Sequence, residues 1–215
     1  MWIYLLAIVV GLVVVRRFWK RISPYPGGQS GATFRRVPWS SKALQTELKD
    51  AAYAQMTSDE VAALENVLNL MNEGRVQDAL LWFDDSLAKK NLPEPVQVLL
   101  TWGKSNIYQH IEEPEKEAIL LEQLIRIRPH PVFENNLGQA YRKLGKIADS
   151  EKHFLESPRL ADGNYPLARY NLGLLYCSIG RTSDAEMQLQ ALTAAEKDVP
   201  PELVSGLRSA IRFSR

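Results

Sequence analysis

Acidic residues are missing from the first 46 positions of this 215-residue chain, cysteine occurs once and histidine three times. Each scarcity excludes something. A single cysteine, Cys177, rules out an internal disulfide and a paired-cysteine metal knuckle, and it fits a reducing compartment. His110, His130 and His153 stand at no metal-binding spacing, and neither an HExxH pattern nor a glycine-rich phosphate loop is present. No two of the histidines, Cys177 and the carboxylates fall at catalytic spacing. The expectation is therefore a protein that is not an enzyme, with no catalytic residue, metal or cofactor, in which these side chains pack or are solvated and "EEPEKE" (112–117) is a solvated turn.

The absence of early acids also splits the charge. Arg16, Arg17, Lys20, Arg21, Arg35, Arg36 and Lys42 all precede Glu47, so the first 46 residues carry +7 and the rest −6, within a formal total of +1. A nucleic-acid-binding domain would carry its basic residues on the folded body, so nucleic acid is excluded as a partner in favour of a basic stalk beside an anionic surface.

What is present begins with "MWIYLLAIVVGLVVV", an uncharged run followed at once by "RRFWKR". At 1.5 Å per residue it reaches roughly 22 Å, and snorkelling arginines with interfacial Phe18 and Trp19 extend that by about a turn toward the ~30 Å hydrocarbon core. A cleaved signal would place its charge before the apolar run. The expectation is a transmembrane anchor with basic flank at 1–21, the short N-terminus outside and the remainder cytoplasmic, most simply at a bacterial inner membrane. Residues 22–39, with three prolines, three glycines and no apolar periodicity, read as a flexible linker whose arginines can rest on anionic headgroups.

Self-similarity then sets the architecture. "NNLGQAYRKLGK" from Asn135 returns as "YNLGLLYCSIGR" from Tyr170. Gly103, Gly138 and Gly173 recur every 35 residues, each after a large apolar residue, and turn positions Gly74, His110, Gly145 and Gly180 recur at 36, 35 and 35. After each turn comes a second apolar stripe of helical period. The unit is two helices and a tight turn: a small glycine admits the second helix, an aromatic on the same face fills the gap, and glycine ends the helix. One pair cannot bury its stripe alone, whereas stacked pairs can.

Leu137-Gly138-Tyr141-Gly145-Phe154 and Leu172-Gly173-Tyr176-Gly180-Ala185 resemble the tetratricopeptide repeat (TPR) family. The likeness covers about 58–195 and four repeats; the first has Val67 where the glycine belongs, and the second has Asn106 for the tyrosine and an "EEPEKE" turn longer by about three residues. The fold class implied is all-α, a helical-hairpin solenoid with a concave face behind the N-terminal transmembrane helix. Thr57-x-x-Glu60 is a capping box that opens the first repeat, and "LPEP" and "RPHP" separate later ones. An accessory helix at 40–56 precedes the array, its packing open, and an amphipathic capping helix at 200–213 closes it.

In the family the first helix of each pair lines a peptide-binding groove. Carried over residue by residue, the resemblance selects Gln97, Leu100, Thr101 and Lys104; Asn135, Asn136, Gln139 and Arg142; and Tyr170, Asn171 and Leu174. Asn136 and Asn171 stand out because a surface amide both donates to and accepts from an extended backbone. The Lys/Asn and Lys/Arg pairs that clamp acidic chaperone tails are absent, as is a C-terminal cysteine knuckle. The sequence thus points to a membrane-tethered scaffold or adaptor that holds a protein or peptide partner for assembly or regulation of a membrane-associated complex, with a protein-import or targeting receptor as the alternative; it sets no oligomeric state.

Overall fold

The computed structural model describes residues 41–161, 165–194 and 199–214, so the expected anchor at 1–21 and linker at 22–39 lie outside the described residues. These residues form ten helices and no strand: α1 (Ser41–Tyr53), α2 (Ser58–Asn72), α3 (Val76–Leu87), α4 (Glu94–His110), α5 (Pro114–Ile127), α6 (Pro131–Lys143), α7 (Ile147–Leu160), α8 (Pro166–Ser178), α9 (Thr182–Ala194) and α10 (Pro201–Phe213). The chain is all-α over this range. Among the described residues no helix is long and apolar enough to cross a membrane.

Helix ends follow capping chemistry. Thr57 accepts the Glu60 N–H while the Glu60 side chain returns to the Thr57 N–H, a complete capping box. Prolines open α4, α5, α6, α8 and α10, where a missing N–H costs nothing.

Four turns share one hydrogen-bond pattern. In the α6–α7 turn, the N–H of Lys146 reaches back to the Tyr141 carbonyl (2.9 Å) and that of Gly145 to Arg142 (3.1 Å). The same pair of bonds closes α2–α3 through Arg75 and Gly74, and α8–α9 through Arg181 and Gly180. This is the Schellman closure, which requires a left-handed residue just past the helix. Gly74, Gly145 and Gly180 supply it with φ of 74°, 70° and 76°. At α4–α5 the left-handed residue is Glu112 (φ 59°), not His110, which the 36-residue interval had selected. The excess of this unit does not lengthen the turn, as "EEPEKE" suggested: Pro114–Glu117 is the first turn of α5 with Glu117 buried, and the extra residues lengthen the helix, α4 having 17 residues against 13 in α6 and α8, which carries the turn two positions further.

Packing makes a stack of helical hairpins. α2/α3, α4/α5, α6/α7 and α8/α9 are antiparallel pairs, and α3, α5 and α7 each also pack on the first helix of the next pair. First helices meet one another as well: Trp102 of α4 stands edge-on to Phe133 of α6 with centroids 5.9 Å apart, and α6 packs on α8. α1 lies against α4, the first helix of the second pair, burying Leu44, Leu48 and Ala52; at the C-terminal end α10 lies against α8 and α9, burying Leu203, Leu207 and Ile211. Burial of these stripes is what makes each hairpin stable, since a lone helix pair exposes one apolar face.

The recurring first-helix glycine answers to space. A Cβ on Gly138 would stand 2.6 Å from Phe154 Cδ1, one on Gly103 2.8 Å from Phe83 Cζ, and one on Gly173 2.6 Å from Leu207 Cδ2. The occupant differs by unit: a partner in the same hairpin for Gly138, the preceding hairpin for Gly103, and the terminal helix for Gly173.

Candidate binding surface on the first helices

The residues that the sequence assigns to a groove divide into those that packing absorbs and those left accessible. On α4, Leu100 and Thr101 are buried, Gln97 is exposed, and Lys104 pairs with Asp84 of α3 while lying 5.8 Å from the Tyr108 ring centroid. Leu100 also lines a shallow pocket with Trp82, Val96 and Met56, which the Lys89–Glu60 ion pair (2.8 Å) borders. Hydrogen bonds from Lys89 and Thr57 hold the Glu60 carboxyl down at about 2.

At the junction of α6 and α8 an amide pair is sealed inside. Asn171 (5% exposed) donates from Nδ2 to Oδ1 of Asn135 (0% exposed) over 2.8 Å, and Asn135 Nδ2 leans toward Asn136 Oδ1 at 3.4 Å. Asn135 and Asn171 therefore tie two hairpins together. Their equivalence to Asn136 in sequence does not extend to accessibility, because helix–helix contact, not residue type, decides which amide reaches solvent.

Around this pair lie the half-exposed side chains Asn136, Gln139 and Arg142 of α6 and Tyr170 and Leu174 of α8. Asn136, Gln139 and Arg142 are spaced by three and so share one face of α6, and Tyr170 and Leu174, four apart, share one of α8. Burial depresses the Arg142 guanidinium below its usual range and the nearby Tyr170 hydroxyl opposes the shift. The surface is thus amide-rich and cationic, with one aromatic and one aliphatic side chain at its edge.

Behind it the hairpin interface is unusually polar but satisfied. Ser150 and Ser157 of α7 are fully buried and donate to the carbonyls of Gly138 and Pro131, each at 2.7 Å. His153 Nδ1 meets Glu134 Oε2 at 2.6 Å, and the Tyr141 ring stacks on His153. The repeat tyrosines have a second use that the sequence does not announce: Tyr141 donates to Glu122 of α5, and Tyr176 to Glu151 of α7 (2.7 Å), so each links its helix to the second helix of the preceding pair. Desolvation, then these carboxylates, push both phenols up to about 12. His130 caps α6, its Nδ1 accepting the Val132 N–H at 3.1 Å, and burial drives it down to about 4. Nothing local in the sequence marks Glu122 or Glu151, whose partners arrive from the next hairpin.

One carboxyl is incompletely served. Glu117 of α5 is 2% exposed; its Oε1 accepts from Gln109 Nε2 at 3.0 Å and its Oε2 has no partner. Burial raises it to about 7, with Lys143 opposing. It occupies the second-helix position that holds Ala79, Ser150 or Ala185 in the other pairs, where small residues allow close approach.

No protein-family model and no curated protein matches the chain.

Proposed function

We propose that the chain is a membrane-tethered TPR adaptor: residues 1–21 anchor it, and the row of first helices holds an extended segment of a protein partner. The observation that carries the reading is the accessible set Asn136, Gln139, Arg142, Tyr170 and Leu174, side by side on neighbouring helices above a sealed amide pair. Amides spaced along one helix face suit a peptide backbone, which offers alternating donors and acceptors. A tether adds to this by raising the partner's effective concentration at the membrane, so that individually weak contacts suffice. The reading assigns no chemical step to any residue.

A photo-crosslinking residue placed at Gln139 or Leu174 of the full chain in living cells tests it. The expected result is a discrete adduct from both positions, the one from position 174 lost in N136A/Q139A and both weakened when residues 1–21 are deleted. Adducts that form from exposed Lys152 on α7 but not from positions 139 and 174 would move the binding surface to the second helices.

A further inference from the structure

Lysine and arginine side chains that the described residues withdraw from solvent are matched, with one exception. Lys104 meets Asp84, Arg128 meets Glu47, Lys49 lies over the Tyr53 ring, and Arg169 is engaged within the fold. Arg142 is half-buried and, among the described residues, has no carboxylate within ion-pair distance; the one electrostatic neighbour it has there is the uncharged Tyr170 hydroxyl. Partial desolvation of a guanidinium without a counterion is unfavourable, and a bound anion removes that cost. The site is also dressed for a peptide: Gln139 and Asn136 precede Arg142 by three and six residues along one slanting ridge of α6, so about 9 Å separates residues 136 and 142 along the helix axis. That length matches roughly three residues of extended chain.

Resting on the adaptor reading, we infer that Arg142 receives the side-chain carboxylate of an aspartate or glutamate about three residues along the bound segment from the backbone held by Asn136. A single monovalent acid fits better than a phosphate, because a dianion calls for a second cation facing the same ligand, and the described half-buried cations on α4 and at the end of α5, Lys104 and Arg128, are paired with Asp84 and Glu47. A guanidinium also forms two parallel bonds to a planar carboxylate, which gives direction as well as attraction.

A displayed library of random 12-residue peptides, selected on the full-length chain in mild detergent, tests this. The selected sequences should carry Asp or Glu at one recurring position. A synthetic peptide with that glutamate should lose about tenfold in affinity to R142Q, the scale of one charge-assisted pair, and its Glu→Gln version should bind wild type and R142Q alike. The acid peptide should also weaken as salt rises, in wild type alone. R142K should recover part of the loss, and the melting temperature of R142Q should stay level or rise, since no internal partner is removed. Equal affinity of the acid peptide for R142Q overturns the assignment, as does a lowered melting temperature in R142Q or tighter Arg142-dependent binding of a phosphoserine peptide. If the selected peptides lose affinity to N136A/Q139A but not to R142Q, the adaptor reading stands and the role of Arg142 falls. If neither variant affects them, both fall.

Discussion

Replacing Gly138 with alanine sets two known effects of opposite sign against each other. In an open helix interior the change should stabilise by about 1 kcal/mol, because alanine restricts the unfolded backbone and suits the helix. Here the new methyl would sit 2.6 Å and 2.7 Å from two ring carbons of Phe154, and 3.0 Å from a third. Carbon atoms rest at about 3.5–4.0 Å, so the ring or the α6–α7 spacing must yield by close to 1 Å. Phe154 is 0% exposed and cannot rotate into solvent, and Ser150 Oγ, bonded to the Gly138 carbonyl at 2.7 Å, fixes the same spacing. Overpacking of this kind costs about 1–3 kcal/mol, leaving G138A destabilised by roughly 0–2 kcal/mol after the helical gain. Because that range touches zero, the decisive measurement is a double-mutant cycle with Phe154→Leu, followed by urea unfolding and helical circular dichroism. F154L alone should destabilise by leaving a void. In that background G138A should turn neutral or stabilising, with a coupling of about 1–2 kcal/mol between the two sites. Additive effects, or a G138A single mutant stabilised by the full helical gain, would refute the close approach at this glycine.

Glu112→Gly removes a side chain from a left-handed position (φ 59°) and should stabilise by about 0.5–1 kcal/mol in thermal melts, the relief of strain being partly offset by a more flexible unfolded chain. Asn171→Ala deprives the fully buried Asn135 of its donor and should cost about 1–3 kcal/mol, measured in urea, which makes it a stability variant and unsuitable as a binding probe. Glu117, raised to about 7 from an unfolded value near 4.5, binds more protons folded than unfolded in between; stability from this group is therefore present at low pH and lost as pH rises through 7. Melting temperatures of Glu117→Gln across pH 5–8 should lack that decline and exceed wild type most at pH 8; an unchanged slope would place the pH dependence elsewhere.

What the sequence disclosed was whatever depends on short-range periodicity. The 35-residue interval marked the paired helices, and Gly145 and Gly180 announced their left-handed turns because φ is a property of one residue. His110 misled because an interval assumes equal helix lengths, and α4 absorbed the extra residues as helix. The candidate surface was legible to the level of helix face and no further. Asn135, Asn136 and Asn171 are chemically alike, yet burial by the neighbouring hairpin made two of them into a fastening and left one accessible. The unmatched state of Arg142 was equally hidden, since it depends on where every acid on three helices comes to lie.

Helix α10 sets the C-terminal limit of the stack in a way that the hairpins cannot. α1 lies against α4 of the second pair and α10 against α8 of the last, and α10 presents to solvent Arg208, Ser209 and Arg212 while turning Leu203, Leu207 and Ile211 inward. A stack of interchangeable units has no intrinsic length, since its last apolar face is always a template for one more. Here Leu207 fills the notch above Gly173 that a further unit would need. The array can therefore lengthen by duplication of an interior pair but not by addition after α9, and a chain shortened before Pro201 would offer that notch and its apolar face to a second copy and self-associate.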